Sequence, residues 1–289
     1  MANGTRDPLA RAFQLLRWLI GERLDSVGVR ETALALSIAP STAHSLLAAL
    51  VAEGVLQHEE RMGRYTLGVE LFHLAHRAVD QFPFRRIAMP HLRKLVAASN
   101  EAAHLSLYVR ERGALVTIAG VESTHPVRYV IDMYSWRPLH VGAAGWAVLA
   151  FLPPSERAEM LAQRPTLHRK MLDDAALARE MDRIATRGYA FTRGTRIEGA
   201  VGIAAPLFDV QGSVFGAVGV ALPEQRFEPS EIDRLVKPLI SCARDVMAEI
   251  EAPKPAPGRA AVARGKAGIA RPTRVFSKHR NREGRRTNG

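Results

Sequence analysis

The chain has 289 residues, 47% of them hydrophobic and 24% charged, the balance of a soluble globular protein long enough for two modest cores. Its single cysteine, Cys242, rules out an intrachain disulfide framework, no apolar run approaches the ~20 residues that span a bilayer, and residues 1–8 lack a signal-peptide core, so a cytoplasmic protein is expected. The net charge of +11 is concentrated: residues 252–289 hold eleven Lys and Arg against Glu283 alone, which leaves about +1 for the first 251 residues.

In chain order, Asp7-Pro8 is a helix start, and Leu9, Phe13, Leu16 and Ile20 recur at helical spacing up to Gly21. A short helix over Val29 to Leu36 and a third over Pro40 to Glu53 follow, separated by Ser37-Ile38-Ala39 and stopped by Gly54. Val55 to His58 and Arg64 to Leu67 read as a hairpin around the polar turn 59–63. Three short helices and a hairpin are the order of a winged helix-turn-helix, assigned to residues 1–68. An amphipathic helix over Val69 to Gln81 has an apolar surface wider than one small domain needs, so residues 69–83 are predicted to link and dimerise.

Residues 84–251 alternate helices and strands: helices over Phe84–Ser99, Ala143–Phe151, Ser155–Ala162, Asp173–Thr186 and Pro229–Ile250, strands over His104–Val109, Ala114–Val121, Val127–Ile131, Ala200–Phe208 and Ser213–Ala221. Hairpin-linked strands with helices inserted predict an α+β sandwich around an antiparallel sheet. Residues 252–289, rich in Pro, Gly, Ala and basic side chains, are expected to be a disordered basic tail, either solubilising or a nonspecific DNA clamp.

The third helix carries the functional prediction. Ala43, Leu46, Leu47 and Leu50 form its buried stripe, which turns Ser41 and Ser45 outward with Thr42 and His44 on the flanks. A small polar face at a helix N-terminus, after a short turn and before a hairpin, suits the major groove of DNA. Residues 1–82 nevertheless hold eight Arg against nine acids, so cationic phosphate contacts are scarce; Arg61 and Arg64 of the wing are the nearest candidates.

Four stretches, Pro40-Ser41-Thr42-Ala43-His44-Ser45-Leu46-Leu47, Gly63-Arg64-Tyr65-Thr66-Leu67-Gly68, Pro138-Leu139-His140-Val141-Gly142-Ala143-Ala144-Gly145 and Gly199 to Phe208, resemble the IclR family of bacterial regulators, over about residues 9 to 250. The resemblance implies an N-terminal winged helix-turn-helix, a helical linker, a GAF-like C-terminal effector domain, double-stranded operator DNA as partner, and a homodimer or homotetramer. It also implies that the basic residues often found in the family at the positions of Pro40 and Ser45 are lost here. An organic-acid effector is implied near the helix after His140, where free N–H groups favour an anion. The matching positions are Ala143, Ala144, Tyr129 on the preceding strand, Thr192 on a loop, and Ala200, Gly202, Gly219 and Ala221 on the last strands. Gly and Ala at positions where relatives carry polar side chains predict a roomier, more apolar pocket for an aromatic or branched carboxylate, paired with Arg193 or Arg196. Trp146 is expected in the pocket wall or at a subunit contact.

Two other classes are weighed. An enzyme is disfavoured: there is no G-x-S-x-G elbow, phosphate-cradling Gly-Lys loop or His-Glu-x-x-His, and His73 and His76 lack further ligands, so no cofactor or metal is expected. A nonspecific nucleic-acid-binding protein led by the tail lacks the aromatic residues that stack on single strands, Phe276 being the tail's only one.

Overall fold

A computed structural model of the protein describes residues 7–162 and 173–252; all but the first residue of the predicted basic tail lies outside them. The Asp7 carboxylate accepts a hydrogen bond from Leu9 N at 3.0 Å and starts α1 (Pro8–Gly21), with Pro8 at the first helical position. In α2 (Val29–Leu36) the Glu31 carboxylate reaches back to Gly28 N and satisfies a free donor of the first turn. Ser37 takes a left-handed φ of 54° and turns the chain into α3 (Pro40–Ala52), about 110° from α2, as in a helix-turn-helix. Leu15, Leu19, Leu36, Leu47 and Leu50 close a small core with Leu56 and Tyr65 of the wing. The wing pairs β1 (Leu56–Glu59) with β2 (Arg64–Leu67), Glu59 opposite Arg64, and turns through Gly63 at φ 63°. A bridge from Val27 to Tyr65 ties it to the α1–α2 loop.

α4 (Val69–Gln81) has no buried residue, and Phe72 is 74% exposed. Phe82 ends it and α5 (Pro83–Ser99) begins at Pro83, a residue suited to a first turn.

Six antiparallel strands form the second sheet: β3 (Ala102–Val109), β4 (Ala114–Val121), β5 (Trp136–Pro138), β6 (Ala190–Arg193), β7 (Ala200–Phe208) and β8 (Val214–Pro223), in the order β5-β4-β3-β8-β7-β6. α5 and α9 (Ile232–Glu251) cover one face, where Ala103, Leu105, Val218, Val220 and Leu239 pack. α6 (Gly142–Leu149) and α8 (Asp174–Arg187) cover the other, and α7 (Pro154–Ala162) reaches it through Tyr108, whose hydroxyl donates to Glu156 at 2.6 Å. The period-2 alternation of β3 therefore turns His104, Ser106 and Tyr108 towards the α6 side. No single helix among the described residues is long and apolar enough to cross a membrane.

The sheet departs from its sequence-based outline in two places. Residues 127–131, predicted as a strand, have no regular structure; Val127 and Val130 are two-thirds exposed, and an Arg226 guanidinium holds the Val127 carbonyl. The edge strand is instead β5, only three residues and ending in proline. Thr192, predicted on a loop, lies with Arg193 on the four-residue edge strand β6.

Candidate DNA-reading face and effector cavity

On α3, Ser41, His44 and Ser45 are exposed and Thr42 is half-buried, while Ala43, Leu47 and Leu50 face the core. Ala39 precedes the helix without a side-chain cap and Pro40 has no N–H, so the backbone donors of Ser41 and Thr42 are open to an anion. The Ser45 hydroxyl donates to Ser41 O at 3.0 Å and keeps its acceptor lone pairs outward.

The two wing arginines differ. Arg61 is exposed at the turn. Arg64 is turned back into the domain: Nε donates to Ser26 Oγ at 2.7 Å, Nη2 to Ser26 O at 2.8 Å, and Nη1 and Nη2 grip Glu31 at 3.0 and 2.9 Å. The guanidinium and the Gly28 N–H hold the Glu31 carboxyl below the usual carboxylate range. Arg64 is thus a clamp between wing and α2, with four of its five donors engaged, rather than the free phosphate contact that sequence position suggests.

In the second domain a cavity lies between the sheet and the N-terminus of α6, with about 540 Å³ of atom-free space, its open mouth included. Seven of the nine predicted effector residues line it: Tyr129, Ala143, Ala144, Thr192, Ala200, Gly202 and Ala221. The other two do not. Arg193 leaves the edge strand to meet Glu224 at 3.4 Å and the Phe227 ring. Gly219 lies beneath the His104 ring, where an added Cβ would come within 2.6 Å of Cε1. Trp146 is core, 9% exposed, its indole donating to His140 O at 3.0 Å.

The predicted apolar lining is present in Ala143, Ala200, Gly202 and Ala204, but two arginines, Arg137 and Arg196, line the same cavity. Arg196 donates from Nη1 to the Tyr129 hydroxyl at 2.6 Å and from Nη2 to Asp132 at 3.1 Å, across the loop that follows β4. Arg137, on β5 between two outward residues, turns inward and donates from Nη2 to Ser106 Oγ at 2.9 Å. It has no carboxylate partner among the described residues; burial, then the charge of Arg196, lowers its pKa to about 10. His104 is 8% exposed, and burial first, then Arg137 and Arg196, push its pKa down to about 3. Sequence reasoning missed His104 and Arg137, although polar His104 and Ser106 alternate with Leu105 and Leu107 on β3, a signal for a polar pocket on one face.

The neutral imidazole has a thermodynamic signature. Unfolded, a histidine titrates near pH 6.5; folded, His104 titrates near 3, so the unfolded chain takes up the proton first. Stability is full above pH 6.5 and lost as pH falls towards 3, by about 2 kcal/mol between pH 7 and 5. His104→Gln is expected to remove that increment from urea melts at the two pH values; identical pH dependence in both proteins refutes it.

A short turn between two steeply crossed helices, followed by a wing, defines a winged helix-turn-helix DNA-binding protein, joined here to an α/β domain with a curled antiparallel sheet. Family models agree: the IclR helix-turn-helix domain matches residues 8–60, and the C-terminal domain of bacterial IclR transcriptional regulators matches 76–248. The chain belongs to the IclR family of DNA-binding transcriptional regulators. It is 33% identical over 248 residues to the glycerol operon regulatory protein of Streptomyces griseus, covering 84% of this chain and 96% of that one. It is 25% identical to the transcriptional repressor IclR of Escherichia coli, over 85% and 90% of the two chains. Among solved structures, an IclR regulator from Alicyclobacillus acidocaldarius shares the fold at TM-score 0.72 and 22% identity, over 83% of this chain and 97% of that one. An IclR homologue from Microbacterium hydrocarbonoxydans, complexed with 4-hydroxybenzoate, does so at 0.70 and 23%, over 86% and 100%.

Proposed function

We propose that this regulator reads an operator with Ser41, Thr42, His44 and Ser45 of α3, contacts phosphate through Arg61, and is modulated by a small organic acid in the α6 cavity. One observation carries the effector half. Five buried side-chain polar atoms lack a hydrogen-bond partner among the described residues, and three of them, His104 Nδ1, Arg137 Nε and Thr195 Oγ1, line this one cavity. Unmatched buried polar atoms are costly and rare, so three around one space indicate a ligand that supplies acceptors and a donor. The open N–H groups at the start of α6 favour an anion there. The Ala and Gly wall leaves space for an apolar body, such as an aromatic ring or a branched chain.

Arg64 enters the DNA interface as the clamp that sets the wing, and a second copy of the chain in a homodimer or homotetramer covers the apolar face of α4. The basic residues of the tail add sequence-independent phosphate contacts that the reading domain lacks. The test combines two readouts, thermal shift and anisotropy of a labelled duplex from upstream of the gene, with 4-hydroxybenzoate as first probe and glyoxylate and pyruvate as small controls. A ring-sized acid is expected to raise the melting temperature and to change DNA affinity. Stabilisation by glyoxylate or pyruvate but by no aromatic or branched acid overturns the predicted ligand size, and stabilisation without any change in DNA affinity overturns the regulatory role.

A further inference from the structure

Resting on that effector reading, we propose that the cavity selects a doubly charged anion, a dicarboxylate or a phosphate monoester, with Arg137 and Arg196 as its two counter-ions. Two guanidiniums line one space, and among the described residues a single carboxylate, Asp132, forms an ion pair with either of them. Asp132 is half-exposed, accepts from Ser135 as well as from Arg196 at 3.1 Å, and acts on Arg137 only through space. Arg137 is left with a serine hydroxyl as its hydrogen-bond partner, and its Nε is buried with none. Burying a guanidinium without an acid is expensive unless something else brings the negative charge. Burial, then the charge of Arg196, weakens Arg137's hold on its proton, so a site holding both guanidiniums is incomplete until an anion enters.

The third polar group fixes the kind of partner further. His104 is uncharged in this setting, so it contributes a hydrogen bond and no third positive charge. Its ring is seated on Gly219, with Nδ1 free to bond an oxygen of the ligand. The hydroxyl of Tyr129 and the carboxylate of Asp132 hold the Arg196 fork in place. The Ala and Gly residues that line the same cavity ask for no polarity from the rest of the ligand. A monoanion would satisfy one arginine and leave the other dependent on solvent or Asp132.

Three ligands that share a ring and differ in charge decide the matter: benzoate, terephthalate and phenyl phosphate, with butyrate and succinate as an aliphatic pair, titrated calorimetrically into the full-length protein at pH 8. Within at least one series a dianion is expected to bind ten-fold or more tightly than its monoanion, and the better of terephthalate and phenyl phosphate identifies the acid type. Arg137→Met is expected to fold, because a methionine of similar length suits a largely buried position, and to reduce that preference to within about three-fold. Arg137→Lys, which keeps the charge, is expected to retain most of it. Monoanions binding as tightly as dianions, or a preference that survives Arg137→Met, overturns the proposal and leaves the effector reading intact. Failure of every anion, 4-hydroxybenzoate included, to bind overturns both.

Discussion

Deleting residues 253–289 is expected to lower affinity for any duplex DNA while leaving the ratio between operator and random sequence unchanged. Residues 1–82 carry eight Arg and no Lys against nine acids, and the structure withdraws one of those cations by locking Arg64 onto Glu31 and Ser26. Phosphate neutralisation supplies most sequence-independent affinity, so a reading head this poor in free cations needs another source. The tail holds eleven Lys and Arg and one acid. If about five of those cations per chain meet phosphates, the slope of log K against log salt becomes shallower by roughly 4 to 5 on deletion. Between about 50 and 200 mM salt the intact protein then loses about 10²–10³-fold more affinity than the truncated one. Phosphate contacts do not read bases, which is why specificity stays with α3. The melting temperature is expected to be unchanged, since α9 ends at Glu251. An unaltered salt slope refutes this role for the tail. Thr42→Ala is the complementary control, expected to lower the operator-to-random ratio at a constant slope.

The helix-turn-helix was legible because each of its parts has a local cause. Ser37-Ile38-Ala39 separates two apolar periodicities, Gly54 stops the third helix, and Gly63 permits the wing turn, so none of these needed a distant partner to be read. The edge of the large sheet was not legible for the opposite reason. Val127, Tyr129, Val130 and Ile131 have the composition of a strand, but strand propensity reports a fit to a half-buried pleated surface, and residues 127–131 find no strand to pair with among the described residues. β5 carries little compositional signal; Trp136 suits a strand but Pro138 does not, and Trp136, Arg137 and Pro138 become one because β4 offers Ala114 to Val116 as partners. The same non-local pairing explains the cavity. Positions near the start of α6 and on β7 could be picked out from short stretches of sequence. His104 and Arg137 are 33 residues apart and meet only when β3, β4 and β5 are laid side by side. A pocket judged from its glycines and alanines alone therefore looks apolar, while its charge arrives from strands whose pairing the sequence does not announce.

Gly145→Ala is expected to destabilise the C-terminal domain and to cost it its ligand response, although alanine is the better helix former. Gly145 sits in the second turn of α6, and a Cβ built there would lie 2.2 Å from the Leu139 carbonyl oxygen and 2.8 Å from its carbon. Both are backbone atoms of the segment that leads into the helix, so no side-chain rotation relieves the clash. Leu139 is itself 2% exposed and cannot swing out to solvent without opening the core that α6 and α8 share. Helix propensity favours alanine by about 1 kcal/mol. Forcing apart packed backbone costs about 3 kcal/mol, so steric strain wins by roughly 2 kcal/mol. For a domain of this size that lowers the melting temperature by about 4–8 °C. The displacement falls where the cavity is built, because Val141 to Gly145 form its α6 wall and Gly142 abuts Arg196. Moving the helix start outward draws its free N–H groups away from an anion held by Arg137, and acid binding is expected to weaken at least ten-fold. The winged domain has its own core of Leu15, Leu19, Leu47, Leu50 and Tyr65, so operator binding without ligand is expected to persist at temperatures below the new transition. A variant as stable as the parent, with an undiminished acid response, would show that α6 can be set back without consequence and that its close approach to Leu139 does not position the site.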